Sequence, residues 1–133
     1  LSDAASRAVE ELQDHTRGGE DLQLNLAISY GSRTEIVEAA RRLAELASLG
    51  AVRPEEITEE RFEEELYTAG WPDPDLLVRT SGERRLSNFL LWQIAYAELH
   101  VSEVMWPEFG RAGFYEAILD FQSRERRFGK VEA

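Results

Sequence analysis

Three arginines, Arg79, Arg84 and Arg85, crowd around one Ser81-Gly82 turn in the run Asp75-Leu76-Leu77-Val78-Arg79-Thr80-Ser81-Gly82-Glu83-Arg84-Arg85-Leu86-Ser87-Asn88-Phe89. A guanidinium offers a planar fork of donors that matches phosphate oxygens and keeps its charge at any relevant pH. Leu76-Leu77-Val78 reads as a short buried strand, so Arg79 stands at a strand C-terminal end, where open α/β sheets gather ligands. Ser87 is a suitable N-cap for a helix starting at Asn88, whose free N–H groups would face the same anion. The cluster therefore reads as a local seat for a small polyanion, with a diphosphate the best match. A surface turn whose arginines pair with surplus acids is the competing interpretation.

The rest of the chain makes that seat stand out. Its 133 residues carry 26 acidic against 15 basic side chains, a net charge of −11, which argues against broad nucleic-acid binding. An apolar share of 43% with 31% charged is that of a folded domain, or part of one. With no cysteine there is neither a disulfide framework nor a thiolate metal site, which fits a cytoplasmic location. No apolar run is long enough to span a bilayer.

The elements that must hold the seat follow from periodicity. Ala5, Val9 and Leu12 predict a helix from Ser2 to about Thr16, closed at Gly18-Gly19. Asp21 to Ser29 alternates, with Leu22, Leu24, Leu26 and Ile28 on one face, and predicts a strand. Ser32-Arg33-Thr34-Glu35 predicts a capping box, opening a helix to Gly50 with a supporting Glu38–Arg42 pair. Pro54 and Thr58 start two short helical turns, the second pointing Phe62 and Leu66 inward. Asn88 to Ala97, apolar nearly all round, reads as a buried helix, and Leu99 to Val104 as a strand. A final helix sets Phe114, Ala117, Ile118 and Phe121 on one stripe and ends at Gly129. The predicted fold is α/β: a mainly parallel sheet flanked by helices, too few strands to be more than half of a domain.

Other candidates are weaker on their residues alone. Glu98 is an acid at the negative end of the predicted Asn88–Ala97 helix, a surface defect or a ligand. Asn25 needs hydrogen-bond partners and suggests a structural role. Arg33 could join the anion or form a cap-loop salt bridge. Arg127-Phe128-Gly129 places a cation at a helix C-terminus. Trp92 and Tyr96 read as core. His15 and His100 have no neighbours that would make them ligands or bases.

Taken together, Arg79-Thr80-Ser81-Gly82-Glu83, Arg85-Leu86-Ser87-Asn88-Phe89-Leu90-Leu91-Trp92-Gln93 and Ala95-Tyr96-Ala97-Glu98 closely resemble the signature of the cis-prenyltransferases, the undecaprenyl diphosphate synthase family. The resemblance extends through Leu24-Asn25-Leu26-Ala27, Tyr30-Gly31-Ser32-Arg33, Trp106-Pro107 and Arg124-Glu125-Arg126-Arg127-Phe128-Gly129. It implies an enzyme that condenses isopentenyl diphosphate with an allylic diphosphate, forms each new double bond in cis, and requires Mg2+. It further implies that Arg79, Arg85, Ser87 and the backbone at Leu86 hold the isopentenyl diphosphate, and that Glu98 lies near the Mg2+. Arg127 and Gly129 match an Arg-x-Gly element that reaches the neighbouring subunit of a homodimer. Arg84 departs from the histidine some members carry there, so no metal role transfers to it.

The family's aspartate-bearing Asp-Gly-Asn-Gly-Arg-Trp loop has no counterpart: the asparagines are Asn25 and Asn88, and neither precedes Gly-Arg-Trp. The resemblance thus implies that residues 1–133 are the C-terminal portion of a single domain whose N-terminal portion is absent, inactive alone and with no catalytic residue of their own. A noncatalytic partner subunit of a heteromeric enzyme and a free-standing diphosphate-binding module are the alternatives. Contact with a membrane is expected to be at most peripheral, through the lipid product.

Overall fold

The computed structural model describes residues 2–124. Four helices and two strands follow one another as α1 (Asp3–Thr16), α2 (Ser32–Ser48), α3 (Glu59–Glu63), β1 (Leu76–Arg79), β2 (Glu98–Val101) and α4 (Arg111–Ser123). Single 3₁₀ turns lie at Pro54–Glu56 and Trp106–Glu108, each with proline in its first positions, where a missing N–H costs nothing. The α/β class and the parallel pairing agree with the sequence: β1 and β2 pair in parallel, Leu76 opposite Glu98 and Arg79 opposite Val101. No helix among the described residues is long and apolar enough to cross a membrane.

Helix α2 is the central packing element. Ser32, Glu35, Ala39 and Leu43 recur at helical spacing and are its buried residues. With Leu66, Ile94 and Ala117, Ala39 and Leu43 make up the buried apolar core. The α2 start departs from a capping box. Gly31 is the N-cap and contributes no side-chain cap, while Ser32 and Glu35 turn inward. The expected Glu38–Arg42 pair is also replaced by longer-range partners. Glu38 accepts from the Tyr67 hydroxyl, and Arg42 bonds Glu65 at 3.2 Å. Thr58 does cap α3, its Oγ1 accepting from Arg61 N–H at 3.2 Å.

Two larger expectations fail. Asp21–Ser29 runs without regular hydrogen bonding and is not a strand; Leu22 is 83% exposed and Ile28 50%. Alternation identifies a chain that can be extended, but a strand also needs a neighbour to share its ladder, and the sheet among the described residues consists of β1 and β2 alone. Asn88–Ala97 is a succession of turns, not a helix. Ser87, Asn88 and Leu90 have φ of +53°, +62° and +45°, a left-handed conformation that no right-handed helix accommodates. Consequently Tyr96 is 77% exposed instead of core, whereas Trp92 packs on Phe62 at a ring-centroid distance of 4.5 Å. Of the predicted α4 stripe, Ala117 is buried while Phe114 is half exposed.

Candidate functional site

The anion seat begins where β1 ends. The carbonyl of Arg79 accepts from Ser102 N–H at 2.8 Å, which ties the strand end to the exit of β2. Ser81 and Gly82 then turn the chain with φ of +66° and +63°. Their N–H groups donate to Val104 and Ser102 carbonyls, each at 2.9 Å, so the turn is pinned at both residues. At Gly82 a Cβ would run into the Glu103 carboxylate, and the positive φ also favours glycine.

Across this turn the Arg79 guanidinium donates from Nη2 to Ser87 Oγ at 3.2 Å. Its Nε is buried and has no partner among the described residues. A buried guanidinium N–H without an acceptor is costly, and an incoming oxygen would satisfy it. The N–H of Leu86 likewise meets no acceptor among the described residues. Arg85 is largely exposed and pairs with Glu83, whose side chain is one-third exposed; a pair with one partner in solvent contributes little and can be displaced. Arg84 is exposed and forms no ion pair among the described residues. The structure therefore brings Arg79 and Ser87 together and leaves Arg85 paired with Glu83. Ser87 serves through its hydroxyl, not as the predicted helix cap.

Glu98 is placed elsewhere. It opens β2 instead of closing a helix, opposite Leu76, three residues along the ladder from the Arg79–Val101 pair. At the rise of a strand this is roughly 10 Å, and alternation puts the two side chains on opposite faces of the sheet. On its own face Glu98 accepts from Arg124 Nη1 at 2.7 Å. Arg124 also donates to Leu99 O and to Asp120. Asp120 in turn bonds His100 Nδ1 at 2.7 Å. Its carboxyl is held below the usual aspartate range, first by the Arg124 hydrogen bond and then by that from His100. His100, given no role from sequence, thus helps fasten α4 to β2. No group of three or more metal-binding side chains occurs among the described residues. One carboxylate suits Mg2+ by donor type, but within a single copy Glu98 does not face a diphosphate held by Arg79. Arg127 and Gly129 lie outside the described residues.

Behind the seat lies a network that sequence reading missed. The Glu35 side chain is fully buried and accepts from the Tyr30 hydroxyl, from Tyr67 N–H at 2.8 Å, and from Gln93 Nε2 at 3.3 Å. Tyr30 is pushed up to about 12, by burial first and then by its hydrogen bond to Glu35. Ser32 Oγ accepts from Leu91 N–H at 2.9 Å, and Ser32 N–H donates to Asn88 O at 2.9 Å. Arg33 approaches the seat through its backbone, donating to Asn88 Oδ1 at 2.8 Å, and forms no salt bridge among the described residues. Asn25 lies on the exposed segment and accepts from Gln23. A buried acid inside a helix's first turn looks locally like a cap; two of its three partners are 32 and 58 residues away in the chain.

The comparisons with known proteins place the whole chain in one family. Residues 1–129 match the family model of the prenyltransferases, described as undecaprenyl diphosphate synthase. The chain is 50% identical over 133 residues to an isoprenyl transferase of Geobacillus kaustophilus, covering all of this chain and 52% of that protein. It is 50% identical over 132 residues to the ditrans,polycis-undecaprenyl-diphosphate synthase ((2E,6E)-farnesyl-diphosphate specific) of Haemophilus ducreyi, covering 99% and 54%. Lavandulyl diphosphate synthase from Lavandula x intermedia, solved in complex with dimethylallyl diphosphate, superposes with a TM-score of 0.90 at 37% identity, covering 98% of this chain and 56% of that one. The chain spans about half the length of the curated relatives it matches.

Proposed function

The chain belongs to the undecaprenyl diphosphate synthase family of prenyltransferases, and from that premise we propose that it supplies the isopentenyl diphosphate site of a cis-prenyltransferase. The observation that carries this reading is Arg79, reaching Ser87 across a pinned turn with a buried Nε that has no acceptor among the described residues. In the proposed reaction an allylic diphosphate loses its diphosphate, the double bond of isopentenyl diphosphate attacks the resulting cation, and a proton is released. Arg79, Ser87, Arg85 and the Leu86 N–H hold the diphosphate of the attacking substrate. Positioning and charge neutralisation are the two largest contributions protein groups can make to such a step. Opening the Arg85–Glu83 pair frees that second guanidinium for the ligand.

Mg2+ is the proposed cofactor and Glu98 its proposed protein ligand. When bound, the ion neutralises diphosphate charge. Because Glu98 stands at the far end and on the other face of the strand pair from Arg79, a second copy of a homodimer would have to present it. Arg127 and Gly129 are proposed to serve the same shared site. The reading takes the chain as the C-terminal portion of a single longer domain, consistent with its span of about half of its relatives, and located in the cytoplasm.

Incorporation of labelled isopentenyl diphosphate into longer diphosphates tests the proposal, using the protein that carries these residues at its natural length. Mg2+-dependent incorporation, with cis double bonds in the product by NMR, is the expected result. The 133 residues alone are expected to transfer nothing. Absence of transfer at natural length would instead favour a noncatalytic partner subunit.

A further inference from the structure

The residue after Ser87 makes contacts that its role as a simple turn residue does not require. The Asn88 carboxamide oxygen accepts from Arg33 N–H at 2.8 Å, satisfying one of the first free donors of α2. The α2 N-cap itself, Gly31, has no side chain with which to do so. Asn88 is therefore a cap supplied by a segment 55 residues away. Its own carbonyl accepts from Ser32 N–H at 2.9 Å, so the same residue grips α2 through side chain and backbone. The fit is close: a Cβ at Gly31 would come within 2.9 Å of Asn88 Nδ2. The φ of +62° at Asn88 is one that asparagine tolerates better than most residues.

The covalent neighbour of this clamp is Ser87, also at positive φ, whose hydroxyl receives the Arg79 guanidinium. Two consecutive left-handed residues have little intrinsic preference for this conformation, so something outside the turn must hold them there. The two Asn88 bonds to α2 meet that requirement, with Leu91 N–H on Ser32 Oγ adding a third tether immediately downstream.

We propose that Asn88 is a positioning residue: by capping α2 it fixes Ser87, and through Ser87 the Arg79 guanidinium, in the geometry that receives a diphosphate. This rests on the isopentenyl diphosphate reading of the seat. Asn88 touches no substrate in this account. Its contribution is to pre-organise the seat through a helix that carries none of the proposed ligands.

The test is steady-state kinetics of the protein at its natural length, with Asn88→Gly, Gly31→Ala and Arg79→Ala compared with the parent. Glycine at 88 keeps the positive φ and removes only the carboxamide, and alanine at 31 pushes the carboxamide away while leaving Asn88 in place. Both are expected to raise KM for isopentenyl diphosphate about five- to tenfold, the scale of a lost helix cap, with kcat and the KM for the allylic substrate unchanged. A purely structural Asn88 would lower thermal stability without moving that one KM, and this result would overturn the inference. If Arg79→Ala raises the KM and neither Asn88→Gly nor Gly31→Ala does, the seat stands and the positioning role falls. If Arg79→Ala has no effect, both fall together. Should Asn88→Gly fail to fold, Gly31→Ala decides alone.

Discussion

At the scale of single residues, the structure separates groups with unmet hydrogen-bonding capacity from groups that hold the fold. Arg79 and Arg85 differ by only six positions, yet one has a buried Nε without an acceptor among the described residues and the other an exposed guanidinium paired with Glu83. Glu35 belongs to the second kind. Three donors converge on its buried carboxylate, the Gln93 amide among them from a buried side chain, so Glu35→Ala removes their shared acceptor; a loss of roughly 1–3 kcal/mol is expected by urea denaturation. Tyr30 offers a check by pH. Its folded pKa, about 12, lies above the ordinary tyrosine value of 10.0. The stability it contributes is thus fully present below pH 10 and lost as pH rises from there through 12. Stability is expected to fall over that window, and tyrosinate absorbance to show a late transition that Tyr30→Phe removes. The arginine cluster around the turn was legible in sequence because guanidinium chemistry is carried by residue type. The Asn88 and Glu35 contacts were not, because their partners lie tens of residues away.

At the scale of elements, legibility followed how much of an element's cause is local. Helix α2 was recoverable because its apolar stripe repeats every turn, and β1 because a short apolar run ends in a turn. The Asn88–Ala97 stretch misled for a definite reason: its apolar composition suits a helix, but Ser87, Asn88 and Leu90 sit at positive φ to meet α2. The β2–α4 connection depends on ions. Asp120 has a depressed pKa, so the grip of Arg124 and His100 on it is present above the usual aspartate value of 3.8 and lost as acid carries pH through its lowered one. Protection of α4 amides against hydrogen exchange, relative to their intrinsic rates, is expected to fall below about pH 4, and Asp120→Asn to bring that loosening to neutral pH. In α2, Leu43 is 3% exposed, and Leu43→Ala is expected to cost about 2–5 kcal/mol in denaturant titrations. A negligible cost would mean that α2 does not organise the core.

At the scale of the whole molecule, the most conspicuous feature is apolar surface. Leu22, Leu24, Leu26 and Ile28 alternate along a segment without regular structure and are all at least half exposed. Such a segment invites pairing with other chains. The isolated 133 residues are expected to associate with rising concentration by light scattering, and Leu24→Lys with Leu26→Lys to reduce that association. The alternation of this segment could be read from sequence, while its missing ladder could not. The opposite placement of Arg79 and Glu98 also emerges only at this scale, since strand register decides it.

The central claim is that the Arg79–Ser87 turn holds the diphosphate of isopentenyl diphosphate. Equilibrium binding of that compound by calorimetry, to the natural-length protein and to its Arg79→Ala and Arg85→Ala variants, addresses it most directly. Each variant is expected to bind about 10- to 100-fold more weakly, the loss of one charge-assisted hydrogen bond. Unchanged affinity in both variants would contradict the account and leave the three arginines as an ordinary surface turn.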